Sequence, residues 1–269
     1  MIKFLKGLKN EIKNYSESFN SLVQLFSYDK DLPFNFQENT VKYKNNIIIR
    51  DISFIGLKEK VNAYLVDSGD TSEAGVIFVY PAPGNRSAFL KDAIELAGKN
   101  VVSILIESPW ANPQKFIKIA MEGVEQPEKY YNFLIKTAVD FRCALDLIMS
   151  LNDKNIKRVG FVGHSFGALF GGILSGLEER IDAYVLMAGV GSFTDVALMN
   201  IPDLKVETLE QFKKTMDPID TVHYISHASP SNLFFGIQDT FYSKEKFMDF
   251  YNAGSTLKSI KWYESNHYI

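Results

Sequence analysis

The sequence predicts an α/β protein: a mostly parallel central sheet, antiparallel strands at its N-terminal side, and helices on both faces. Three observations carry this. Short, continuous apolar runs such as residues 76–80 and 101–106 recur along the chain, with stretches of helical periodicity between them. Continuous rather than alternating runs belong to strands buried on both faces, and crossover helices provide that cover. A length of 269 residues suits one large domain of this class better than two small ones.

The elements follow in order. Residues 1 to about 40 read as helical and then irregular. Ile2, Phe4, Leu5, Leu8 and Ile12 mark a short amphipathic helix, expected to dock on the protein's own body rather than on a membrane. Residues 46–55 and 60–66 flank a short charged loop, as antiparallel strands do. Strands then alternate with helices: strand 76–80, helix 87–99, strand 101–106, and a long helix over 130–151. In that helix Phe133, Ala138, Phe141, Ala144, Leu145 and Ile148 fall near helical spacing. Strand 158–162, a small-residue helix over 166–177, strands 183–187 and 232–236, helix 243–253 and strand 259–263 complete the order. The predicted organisation is an N-terminal extension over 1–45 and one domain over 46–269, with small insertions near 107–128 and 189–230. Both insertions follow strands at their C-terminal ends, where open α/β sheets place ligands.

A net charge of −3 makes no electrostatic case for nucleic acid. Cys143, the one cysteine, excludes an intrachain disulfide and reads as an inert thiol on the buried side of a helix, which suits a cytoplasmic protein. No apolar run approaches the roughly 18 residues of a spanning helix. The basic start lacks the apolar core and cleavage site of a signal peptide.

Val162-Gly163-His164-Ser165-Phe166-Gly167 carries the pattern G-x-S-x-G. An apolar strand leads in and a helix rich in Gly and Ala leads out, the setting a nucleophile elbow requires. A sharp turn holds such a serine in a strained conformation above the sheet edge, and side chains two positions away on either side would collide, hence Gly163 and Gly167. The helix N-terminus adds partial positive charge where an oxyanion develops.

On these residues the chain resembles the α/β-hydrolase superfamily, in particular its dienelactone-hydrolase-like and acyl-peptidase-like esterase branches, over roughly residues 46–267. The resemblance implies the α/β-hydrolase fold and an oxyanion hole of two backbone N–H groups. One is that of Phe166. The other lies in the loop Tyr80-Pro81-Ala82-Pro83-Gly84, and because proline has no N–H, Ala82 is expected to supply it. The family's catalytic histidine follows the last strand, where this chain has His267. Asp239, just past strand 232–236, is the expected acid, with Asp195 after the preceding strand as the alternative. His164 is expected to point away from the Ser165 hydroxyl. His223 and His227 are spaced i, i+4, but no third ligand accompanies them, so no metal or cofactor is expected.

The implied activity is hydrolysis of a carboxylic ester of a small or medium molecule through an acyl-enzyme on Ser165. Amide or peptide hydrolysis, and a non-enzymatic ligand-binding role, are the alternatives. Tyr80, Trp110, Phe116, Tyr130, Tyr131, Phe193 and Leu198 are candidates for the substrate pocket. Relatives continue past the histidine into a helix that packs on the sheet, whereas this sequence stops two residues after His267. Cover by the N-terminal helix, cover by a neighbouring subunit in a homodimer, or a mobile loop are the expectations that follow.

Overall fold

The computed structural model describes residues 18–31, 33–44, 46–200, 205–228, 232–237, 242–254 and 257–263, with side chains omitted at 198–200, 232 and 237. Nine strands form one mixed sheet in the order β1-β2-β3-β5-β4-β6-β7-β8-β9. The strands are β1 (Gln37–Lys44), β2 (Ile47–Ile55), β3 (Lys60–Asp67), β4 (Ala74–Val79), β5 (Val101–Ile106), β6 (Arg158–His164), β7 (Ala183–Met187), β8 (Asn232–Ile237) and β9 (Lys258–Trp262). The pairs β1–β2, β2–β3 and β3–β5 are antiparallel, and every pair from β5 through β9 is parallel. This is the mixed sheet the sequence predicts. β1 is a strand the apolar pattern does not name. Only Val41 in it is even partly buried, so its ladder to β2, rather than any hydrophobic face, holds it in place.

Helix α1 (residues 18–24) precedes the sheet. Phe19 and Phe26 pack on Tyr224, so residues 19–26 lie against the body of the protein, whereas the amphipathic helix expected over residues 2–12 lies outside the described residues. Helix α2 (Leu90–Ala97) follows β4 and is shorter than its apolar pattern, because residues 86–89 form a turn. The long helix is α4 (Pro127–Met149), and the connection before it holds a 3-10 turn at Pro109–Ala111 and helix α3 (Pro113–Glu125). Both α3 and α4 open on a proline, which is preorganised for the first helical position. Helix α5 (Phe166–Leu177) follows β6, and the second long connection forms α6 (Phe193–Asn200), α7 (Val206–Met216) and α8 (Val222–Ile225). Helix α9 (Lys244–Ala253) lies between β8 and β9.

Strand alternation assigns these helices to faces. Gly75 lies against Ile148 of α4, whereas Phe78, three residues on and so on the other face, stacks on Phe89 at the start of α2. Phe161 is the register partner of Ile77 and meets Gly171 of α5, so α4 and α5 share one face and α2 covers the opposite one. Phe235 carries Phe250 of α9 on the α5 side. The registers Val79↔Gly163, His164↔Met187 and Met187↔Gly236 align the C-terminal strand ends along one edge.

Candidate active site

Ser165 sits between β6 and α5 with φ 52° and ψ −113°, a region that non-glycine residues rarely enter and that costs on the order of 1–3 kcal/mol. The turn is pinned by its backbone. Ser165 N–H donates to the Met187 carbonyl at 2.7 Å, and its own carbonyl accepts from Ala168 at 2.9 Å. A Cβ on Gly163 would lie 2.4 Å from the Gly167 carbonyl oxygen, and one on Gly167 would lie 2.2 Å from the Val79 carbonyl oxygen. Both clashes are with backbone, so only glycine fits at either position. The second also shows that the end of β4 presses directly on the elbow.

The loop following β4 therefore starts beside the first turn of α5. Its fold is tight: a Cβ on Gly84 would lie 2.6 Å from the Pro81 carbonyl oxygen. Tyr80 is buried, and its hydroxyl donates to the Ser108 carbonyl at 3.0 Å and accepts from the Ser108 N–H at 2.9 Å. Ala82 is partly exposed in this loop, and Phe166 N is the first amide of α5.

Beneath the elbow lies an aromatic cluster. Trp110 stacks on Phe170 at 5.7 Å between ring centroids and meets Phe166 edge-on at 5.0 Å. Phe116 and Phe193 reach Phe166 at 5.4 and 5.5 Å. Tyr80, Trp110 and Phe193 are fully packed, so these three form the floor under the turn. Tyr130 is buried against Phe133 and Phe212, while Tyr131 is partly exposed. The Leu198 side chain lies outside the described residues. His164 faces the α2 side, in a groove of about 460 Å³ lined also by Phe78, Phe89, Val162 and Met187.

Asp239 and His267 lie outside the described residues. The strands leading to them, β8 and β9, run parallel to β6 and end on the same edge as Ser165. Asp195 is ion-paired with Lys246 at 2.8 Å. His223 Nε2 lies 3.3 Å from Asp217, and His227 stacks on Phe19, its pKa lowered by burial. Among the described residues no group of His, Cys, Asp or Glu is arranged to hold a metal, and no helix is long and apolar enough to cross a membrane. Cys143 is buried, which pushes its thiol pKa up to about 12.

Two supports of the site carry no sequence signal, because their partners are distant in the chain. Asp220 accepts hydrogen bonds from Ser192 Oγ and Phe193 N–H, both at 2.8 Å, and so holds the start of α6; burial raises its pKa to about 6. Arg86, at the end of the β4–α2 loop, bonds Asp51, Ala63 and Glu107.

No family model matches the sequence, and no curated protein matches it. Solved structures do. Acetyl xylan esterase 1 from Thermoanaerobacterium sp. superposes with a TM-score of 0.74 at 13% identity, covering 94% of this chain and 88% of that one. An acetyl xylan esterase from Paenibacillus sp. R4 gives 0.70 at 14% identity, covering 93% and 87%. These superpositions span nearly the whole chain. The chain has the α/β-hydrolase fold. Pyrococcus horikoshii acylaminoacyl peptidase shares it, with a TM-score of 0.62 at 10% identity over 85% of this chain and 38% of that one. β6 and α5 flank the turn at which the sequence leads one to expect a nucleophile, and the β4–α2 loop, termed the oxyanion loop, is the one in which the second oxyanion donor, Ala82, is expected.

Proposed function

We propose that this protein is a serine hydrolase that cleaves carboxylic esters of small or medium molecules, with Ser165, His267 and Asp239 as its triad and no cofactor. The observation that carries the reading is the backbone of Ser165. A serine held at φ 52° by glycines that tolerate no side chain is strained where a nucleophile is needed, at the C-terminal edge of a parallel sheet.

The chemistry follows from this arrangement. Ser165 Oγ attacks the acyl carbon as His267 takes its proton, and Asp239 holds the imidazole in the productive tautomer and stabilises the imidazolium. The N–H groups of Phe166 and Ala82 receive the oxyanion, aided by the N-terminus of α5. Collapse expels the alcohol, protonated by His267, and leaves the acyl group on Ser165. Water, deprotonated by His267, then releases the acid. The esterases named above support an ester as substrate, and the lone buried cysteine suits a cytoplasmic setting.

A fluorophosphonate probe and a panel of aryl esters, run beside the matching amides, test this. Labelling of the wild type, its loss in Ser165→Ala, and a fall in ester turnover of at least about 10³-fold are expected. Well-folded wild type that is not labelled and turns over no ester sinks the proposal.

A further inference from the structure

The oxyanion loop is fastened at both ends by one short segment after β5. At its start Tyr80 bonds both backbone groups of Ser108, and Trp110 Nε1 donates to the Tyr80 carbonyl at 3.3 Å. At its end stands Arg86, whose guanidinium is spent on three elements. Its two terminal nitrogens reach the two carboxylate oxygens of Asp51 on β2 at 3.1 and 2.9 Å. One of them also donates to the Ala63 carbonyl on β3 at 3.0 Å. Nε pairs with Glu107 at 3.0 Å, and the guanidinium carbon lies 4.0 Å from the centre of the Tyr64 ring. Glu107 is itself held to β3, its N–H donating to the Asn62 carbonyl at 2.8 Å. This is a planar, multidentate use of arginine that a lysine cannot reproduce.

We propose that Arg86 is a positioning residue for catalysis: by locking the end of the loop to β2, β3 and Glu107, it holds the Ala82 N–H at the elbow. The inference rests on the serine-hydrolase reading above. Between Tyr80 and Arg86 the loop is short and folded back on itself at Gly84, so releasing one end lets the donor drift. Oxyanion stabilisation depends on donors fixed before the reaction, and losing one costs about 10²–10³-fold. A displacement near 1 Å costs on the order of 10²-fold.

The test pairs ester kinetics with inhibition by an aryl trifluoromethyl ketone, whose hemiketal on Ser165 places an oxyanion in the hole. Arg86→Lys is expected to lower kcat by about 10- to 100-fold with KM within about threefold, and to weaken the ketone in parallel. Glu107→Gln, which leaves the Asp51 fork in place, is expected to show the same split more weakly, and carries the test if Arg86→Lys does not fold. Arg180→Ala is the stability control, since its partners Asp146 and Glu178 are remote from the loop; its melting temperature falls while kcat holds. If the Arg86 and Glu107 variants keep wild-type kcat and ketone affinity, or lose kcat only as their folded fraction falls, the positioning role is wrong. Wild type inert to both ester and ketone overturns the hydrolase reading instead, and this inference with it.

Discussion

At the scale of the residue, the elbow is an argument about single atoms. Gly167→Ala puts a methyl group 2.2 Å from the Val79 carbonyl oxygen, an atom of a central strand that cannot swing aside. The expected cost is about 3 kcal/mol or more, read by urea unfolding, with ester turnover falling further than stability because the same contact sets the Ser165 backbone. The acid is also a question about one residue. Asp239→Asn is expected to lower kcat by about 10⁴-fold through the wrong histidine tautomer. Asp195→Asn, which loses only the ion pair with Lys246, is expected to leave kcat within a few-fold. The opposite ranking in steady-state kinetics would make Asp195 the acid.

At the scale of the element, α6 shows how a helix beside the site depends on a distant carboxylate. Asp220 receives Ser192 and Phe193, and Phe193 then packs on the ring of Phe166. Burial outweighs these hydrogen bonds and raises the Asp220 pKa to about 6. Between about pH 4 and 6 the folded protein therefore holds a proton that the unfolded chain, with an ordinary Asp pKa near 3.9, has released. Stability falls as pH rises through that window and levels off above it, by about 3 kcal/mol at most. Asp220→Asn carries no such proton. The melting-temperature difference, wild type minus variant, is expected to decline from pH 4 to pH 6 and then stay flat. A flat difference across the whole range would show that Asp220 does not titrate there.

At the scale of the whole molecule, one buried network joins the N-terminal segment to the helices behind the sheet. Glu178 bonds Arg142 at 2.6 Å and Arg180 at 2.8 Å. Arg142 also donates to the Phe26 carbonyl at 2.6 Å, and Tyr28 and Arg180 both reach Asp146. Breaking a buried pair strands a charge, so Glu178→Gln is expected to cost about 3–5 kcal/mol. That corresponds to a fall in melting temperature of about 2–4 °C per kcal/mol in a protein near this size. Glu178 caps the far end of α5 from Ser165, so kcat at 25 °C is expected to hold. A loss of kcat in fully folded variant would mean that the network reaches the site.

Much of this was readable in one dimension. The sequence names eight of the nine strands, the central β4 and β5 because burial on both faces leaves a continuous mark, whereas β1 escaped because it is almost wholly exposed and carries no apolar run. The elbow was legible as well: a local turn needs its glycines within two residues of the serine, so its constraints lie in adjacent letters. The sequence by itself thus determined the sheet class, the strained turn at Ser165 and the order in which nucleophile, acid and base are expected. The supports of the site came only from three dimensions. Arg86 meets Asp51 and Glu107, Asp220 meets Ser192, and Trp110 slides beneath Phe166, each across tens of residues, and no periodicity encodes such pairings. The same holds for the candidate pocket residues: an aromatic in a long connection reads alike whether it lines a cavity or packs a floor. Only the folded chain, by burying Tyr80, Trp110 and Phe193 under the elbow, decides which, because burial belongs to all the neighbours at once.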